Sequence, residues 1–111
     1  MQLGQFSVSL KVSDIARSEQ FYRALGFQAL PGCGSVAEKW LIMQNEQCVI
    51  GLFEGMLQNN VLTFNPPDVR AIEQHLLAHN ITIDTPTQGD TGPGHCILKD
   101  PDGNTIMFDQ F

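Results

Sequence analysis

Hydrophobic and polar positions alternate along residues 6–12, so that Val8, Leu10 and Val12 project one way and Ser7, Ser9 and Lys11 the other. That period of two marks a strand with one face on a core. From Asp14 the period changes. Ile15, Ser18, Phe21 or Tyr22, and Leu25 recur every three or four residues, which predicts a helix over residues 14–27. Asp14 can accept the free amide hydrogens of the first turn, and Gly26 can take the left-handed conformation that closes the last. Three further strands are expected at residues 27–30, 39–43 and 48–53, separated by turn signals such as Pro31-Gly32-Cys33-Gly34.

The pattern then repeats. A shift of 54 residues lays Asp14 on Asp68, Ile15 on Val69, Glu19 and Gln20 on Glu73 and Gln74, Tyr22 on Leu76, Ala24 on Ala78 and Gly26 on Asn80. The second helix, over residues 68–81, carries its stripe at Val69, Ile72 and Leu76. Leu62 and Phe64 fall where Val8 and Leu10 stood, and strands are expected at 81–85, 95–99 and 104–108, the last after the turn Asp100-Pro101-Asp102-Gly103-Asn104. The expected architecture is a single α+β domain over residues 1–111. Two tandem βαβββ modules, about 5–55 and 59–111, make it up.

Length and composition agree with one domain. The chain has 111 residues, 42% of them apolar and 16% charged, within the range of chains that bury a core. No apolar run reaches the roughly 18 residues of a membrane span, and no leader-like segment opens the chain, so a cytoplasmic protein without a membrane partner is expected. The net charge is −6, with only six scattered cations (Lys11, Arg17, Arg23, Lys39, Arg70, Lys99), a poor surface for nucleic acid. Residues 57–111 hold two basic and seven acidic groups, which favours cationic over anionic ligands there. Cys33, Cys48 and Cys96 suggest reduced thiols, and Cys48, which shares the parity of Ile50 and Leu52, is expected as a small buried hydrophobe.

Other candidate chemistry is thin. His75 and His79 stand four apart, but Leu76 occupies the place where a zincin motif needs glutamate. His95 and Cys96 are neighbours in a strand and point to opposite faces, so they cannot act as base and nucleophile together. Asp100 and Asp102 suit a turn that bonds its own backbone.

The doubled module, the opening VSLKVSDIARSEQFYRALGF and the closing KDPDGNTIMF resemble the vicinal oxygen chelate superfamily, which includes glyoxalase I, bleomycin resistance proteins and extradiol dioxygenases. The resemblance implies two modules pairing into a curved mixed sheet around a cleft, and in the enzymes a divalent metal held by His or Gln, Glu, His and Glu. Carried onto this chain, the ligand positions are Ser7, Gly51, Val61 (Asn60 if the strand slips by one) and Met107. Divalent ions want imidazole, carboxylate or thiolate donors, and these four do not supply them. The expectation is therefore no metal and no cofactor. The implied cleft is lined by Ser7, Ser9, Lys11, Val49, Gly51, Phe53, Val61, Thr63, Thr105, Met107 and Asp109, with Trp40 either in the cleft or in the core. Such a lining suits a small organic molecule, aromatic or cationic, held without metal, and the resemblance implies a homodimer. Two alternatives stand beside it: a metal-dependent lyase or dioxygenase with a non-standard site, and a scaffold with no small ligand.

Overall fold

The computed structural model describes all 111 residues and contains seven strands and two helices. They are β1 (Gln5–Val12), α1 (Ile15–Ala24), β2 (Gln28–Ser35), β3 (Trp40–Asn45), β4 (Cys48–Glu54), β5 (Val61–Asn65), α2 (Val69–Ala78), β6 (Gly94–Lys99) and β7 (Thr105–Gln110). By contacts the chain forms two compact units. One is Ser7–Asn60; the other joins Met1–Phe6 to Val61–Phe111. Within the latter the Phe6 ring lies 5.1 Å from that of Phe64.

In the first unit β1 runs parallel to β4, β4 antiparallel to β3, and β3 antiparallel to β2. In the second, β5 runs parallel to β7 and β7 antiparallel to β6. In each unit, then, the chain between the two parallel strands includes a helix, the crossover that a parallel pair requires. Each helix buries a stripe against its own sheet. Ile15 packs with Leu41, Met43 and Leu52; Val69 and Ile72 pack with Cys96, Leu98 and Phe108.

The helix starts are built alike. Asp14 Oδ1 accepts from the Ala16 and Arg17 amides, and Asp68 Oδ1 from the Ala71 amide. The first helical amide is met by the end of the last strand: Ile15 N–H donates to Glu54 Oε1 at 3.0 Å, and Val69 N–H to Gln110 Oε1 at 2.9 Å. Both orphan donors are thus satisfied while the helix is tied to the strand it packs on. Gly26 and Asn80 close the helices at φ +100° and +61°.

Four sequence expectations are corrected. The strand expected over residues 81–85 does not form; only Thr85 bridges, to Ile97. Its continuation is drawn off by α2, because the Arg70 guanidinium takes the carbonyls of Gln88, Gly89, Thr91 and Gly92 and Glu73 takes the Thr87 amide. These bonds hold residues 87–92 in a loop against α2, just past the expected strand. Conversely, Pro31–Gly34 is no turn: β2 runs through it, absorbing the extra residues as a register shift between Ala29 and Gly34 with Gly32 and Gly34 at positive φ. Phe21 and Leu25 lie off the sheet-facing stripe, 61% and 56% exposed, and Tyr22 turns inward onto Phe27. Cys48 is exposed, because it opens β4 beside a turn, where the core has already ended.

Candidate functional site

Strand register decides which side chains share the sheet face turned away from each helix. In the first unit Leu10, Val12, Ile50 and Leu52 face α1, so their neighbours Ser9, Lys11, Val49, Gly51 and Phe53 face the other way. Pairing orders them into rows. Trp40 lies opposite Phe53 and Phe53 opposite Lys11; Ile42 lies opposite Gly51 and Gly51 opposite Ser9; Gln44 lies opposite Val49. Trp40, which the sequence left between cleft and core, stands on this face. Its ring is nearly parallel to that of Phe53 (12°), with centroids 6.4 Å apart.

Gly51 shapes the centre of the face. A Cβ there would lie 2.6 Å from the Phe53 ring edge and 3.2 Å from Ile42 Cδ1, so these two hydrocarbon groups occupy the space into which a side chain at 51 would extend. Ser7 and Ser9 are buried, at 7% and 5% exposure.

In the second unit Phe64, Ile106, Phe108, Cys96 and Leu98 face α2, leaving Val61, Thr63, Thr105, Met107 and Asp109 on the opposite side. Val61 lies opposite Thr105 and Thr63 opposite Met107. Across β6, Ile97 lies opposite Met107 and His95 opposite Asp109. Burial pushes the Asp109 carboxyl above the usual carboxylate range, and the charge of His95 opposes that shift. By their places in the two modules, His95 and Asp109 correspond to Trp40 and Phe53: an ionisable pair stands where the first module has an aromatic one.

His95, Ile42, Gln44 and Ile97 are face residues that sequence reading missed. The signal for His95 was present: a hairpin closed at Asp100–Asn104 with Lys99 opposite Thr105 necessarily sets His95 opposite Asp109. The other sequence candidates fall elsewhere. His79 Nδ1–H donates to the His75 carbonyl at 2.9 Å on the exposed side of α2. Asp100 accepts from the amides of Asp102 and Asn104 and from the Asn104 side chain, which holds its pKa down; it is a turn former. The Cys96 thiol is buried and pushed upward by desolvation, then by nearby Glu73, the profile of an inert core cysteine.

The donor chemistry can be tested against a divalent metal. On its first-unit face the chain offers one hydroxyl at Ser7 and nothing at Gly51; on its second-unit face, nothing at Val61 and a thioether at Met107. Nowhere do three or more His, Cys, Asp or Glu residues gather as a metal site. Glu54, three residues past Gly51 on β4, turns to the helix side, where it accepts from Ile15 N–H and pairs with Lys39 Nζ at 3.1 Å. These residues do not fit a chelated divalent ion.

Comparison with known proteins defines the fold. No protein-family model and no curated protein matches the sequence. Solved structures do match. One is a glyoxalase/bleomycin resistance protein/dioxygenase superfamily member from Vibrio splendidus 12B01, at 16% identity and TM-score 0.69 over 96% of this chain and 97% of that one. Another is described as an NAD-dependent benzaldehyde dehydrogenase from Legionella pneumophila, at 19% identity and TM-score 0.76 over 96% and 98%. A third is the Mn(II)-bound glyoxalase from Novosphingobium aromaticivorans, at 16% identity and TM-score 0.65, with 98% of this chain spanning 39% of that one. The chain has the α+β fold of the glyoxalase/bleomycin resistance/dioxygenase superfamily, the vicinal oxygen chelate fold. No helix is long and apolar enough to cross a membrane.

Proposed function

We propose that this protein binds a small organic molecule on the sheet faces turned away from its helices, without a metal ion, and acts as a sequestering or carrier protein. One observation carries the reading. The place where metal-dependent relatives by resemblance hold a glutamate is Gly51, and Phe53 and Ile42 lean into the room a ligating side chain would need. A face with hydrocarbon at its centre, half-buried aromatic rings beside it and few polar groups suits organic ligands. The superfamily resemblance adds a homodimer to the proposal.

Native mass spectrometry of freshly purified protein, paired with elemental analysis, tests all of this together. Expected are a dimer, substoichiometric metal and either a retained organic molecule or an open capacity for one. One equivalent of zinc, nickel, iron or manganese per chain, with a turnover that a chelator abolishes and the ion restores, would replace the binder with an enzyme.

A second reading has one observation in its favour. The His95–Asp109 pair brings a base and a partly desolvated carboxyl to one face, the groups a metal-free proton transfer would use. Turnover abolished in His95→Gln, with unchanged folding, would support it.

A further inference from the structure

We infer that Trp40 and Phe53 form an aromatic platform selective for a planar ring bearing an acidic group, that Gly51 is the positioning residue that sets it, and that Lys11 reads the acid. This rests on the binding reading above and narrows its ligand class.

The rings come first. Two aromatic rings in face-to-face contact need only about 3.5 Å between planes. The Trp40 and Phe53 planes differ by 12°, yet their centroids stand 6.4 Å apart, so the pair does not use up its faces on each other. Both side chains are half-buried. Parallel, partly open π faces favour a flat aromatic guest over a puckered aliphatic one of equal size.

Gly51 sets the orientation. It lies opposite Ile42, one pleat along from the Trp40–Phe53 pair. Phe53 Cε2 lies where a Cβ at 51 would be in collision, and Phe53 Cζ and Ile42 Cδ1 also crowd that point. Gly51 is not among the glycines held at positive φ, so alanine is conformationally acceptable there. Its methyl group would displace the far end of the Phe53 ring and leave the backbone in place. The consequence of Gly51→Ala is thus a tilted ring on a folded protein.

The charge comes from Lys11, opposite Phe53 in the same row. Its Nζ donates to the Gln58 carbonyl at 3.4 Å and no carboxylate pairs with it, whereas Lys39 and Lys99 are each matched to an acid. An ammonium without a carboxylate partner, carried on the strand position paired with Phe53, favours a carboxylate on the guest and disfavours a cation. The cationic preference drawn from the acidic residues 57–111 does not extend to this first-unit face.

Trp40 is the only tryptophan in the chain, so its emission reports on the platform directly. Benzoate, benzamide, cyclohexanecarboxylate and N-methylpyridinium would be titrated into the intact protein, with calorimetry in parallel. Benzoate is expected to shift Trp40 emission saturably and to bind about tenfold more tightly than cyclohexanecarboxylate. Its advantage over benzamide is expected to be about threefold, as suits an exposed charge, and N-methylpyridinium is expected to bind most weakly. Gly51→Ala should weaken benzoate about tenfold and leave cyclohexanecarboxylate unchanged, an outcome a merely structural role would not produce. Phe53→Leu should do the same and serves if Gly51→Ala fails to fold; Lys11→Met should erase the preference of benzoate over benzamide.

Equal binding of benzoate and cyclohexanecarboxylate, or heat of binding without any change in Trp40 emission, overturns the platform while the binder reading stands. Silence from every probe also overturns it. If native mass spectrometry then retains an organic molecule, the binder reading survives; if it retains none, both fall.

Discussion

Glu54 shows how one side chain can serve two elements and leave a pH signature. The Ile15 amide donates to it, and Lys39 lies against its other oxygen; together they hold its carboxyl below the ordinary glutamate range. A folded pKa below the unfolded one contributes stability that is present above the ordinary range and is lost as pH falls through it. Glu54→Gln keeps an acceptor for Ile15 N–H but cannot titrate. Urea midpoints measured from neutral pH downward should therefore fall less steeply in the variant; identical slopes would mean that Glu54 is not coupled to folding. Asp109 has the opposite sign. Burial raises its pKa, so its folded form favours the proton, and that contribution vanishes as pH rises through the folded value. Asp109→Asn should gain stability over the parent at pH near 7 and lose that advantage in acid, read from the same denaturation series. Little of this residue detail was legible beforehand. The sequence placed Gly51 at a ligand position, but not the lean of Phe53 into its space, because a ring's rotamer depends on neighbours from two other strands. Cys48 was misread for the same reason: parity gives a face, not how far the core extends along it.

Among the elements, the helices were legible and one strand was not. Both helices announce themselves by an aspartate cap, an apolar stripe and a left-handed terminus, all local features that any window of the chain contains. Residues 81–85 carry strand-like alternation too, yet the segment beyond them is bonded by a guanidinium 18 to 22 positions upstream in sequence. That recruitment predicts a measurable local effect. Arg70→Lys should speed amide hydrogen exchange across residues 87–93 while the β5–β7 ladder stays protected, because a compact ammonium cannot span four carbonyls that a planar fork reaches together. Unchanged exchange there would show that the Glu73 bond to the Thr87 amide suffices to hold the loop.

At the scale of the whole molecule the repeat is the governing fact. Each unit closes a parallel pair of strands across its own helix, and each ties the start of that helix to the last strand by a carboxylate or amide side chain, Glu54 in one and Gln110 in the other. What has diverged is the face away from the helices, aromatic in the first unit and ionisable in the second. Because no donor set gathers on either face, a chelator should be inert: overnight EDTA followed by desalting should move the thermal midpoint by less than about 1 °C, whereas a bound structural metal would stabilise by mass action and its removal would lower that midpoint. A fall of several degrees, restored by one added ion, would reverse that conclusion.

The sequence by itself determined the doubled α+β architecture, the two capped helices and the positions of seven of the eight strands it predicted. Periodicity, caps and residue chemistry are local, and local information survives in a linear string. Tertiary structure alone decided that Trp40 stands beside Phe53, that His95 faces Asp109, that Phe53 leans over Gly51 and that Arg70 holds residues 88–92 in a loop. Each of these is a contact between segments brought together by strand register or helix packing, and it is chosen by competition among neighbours that the chain order does not reveal.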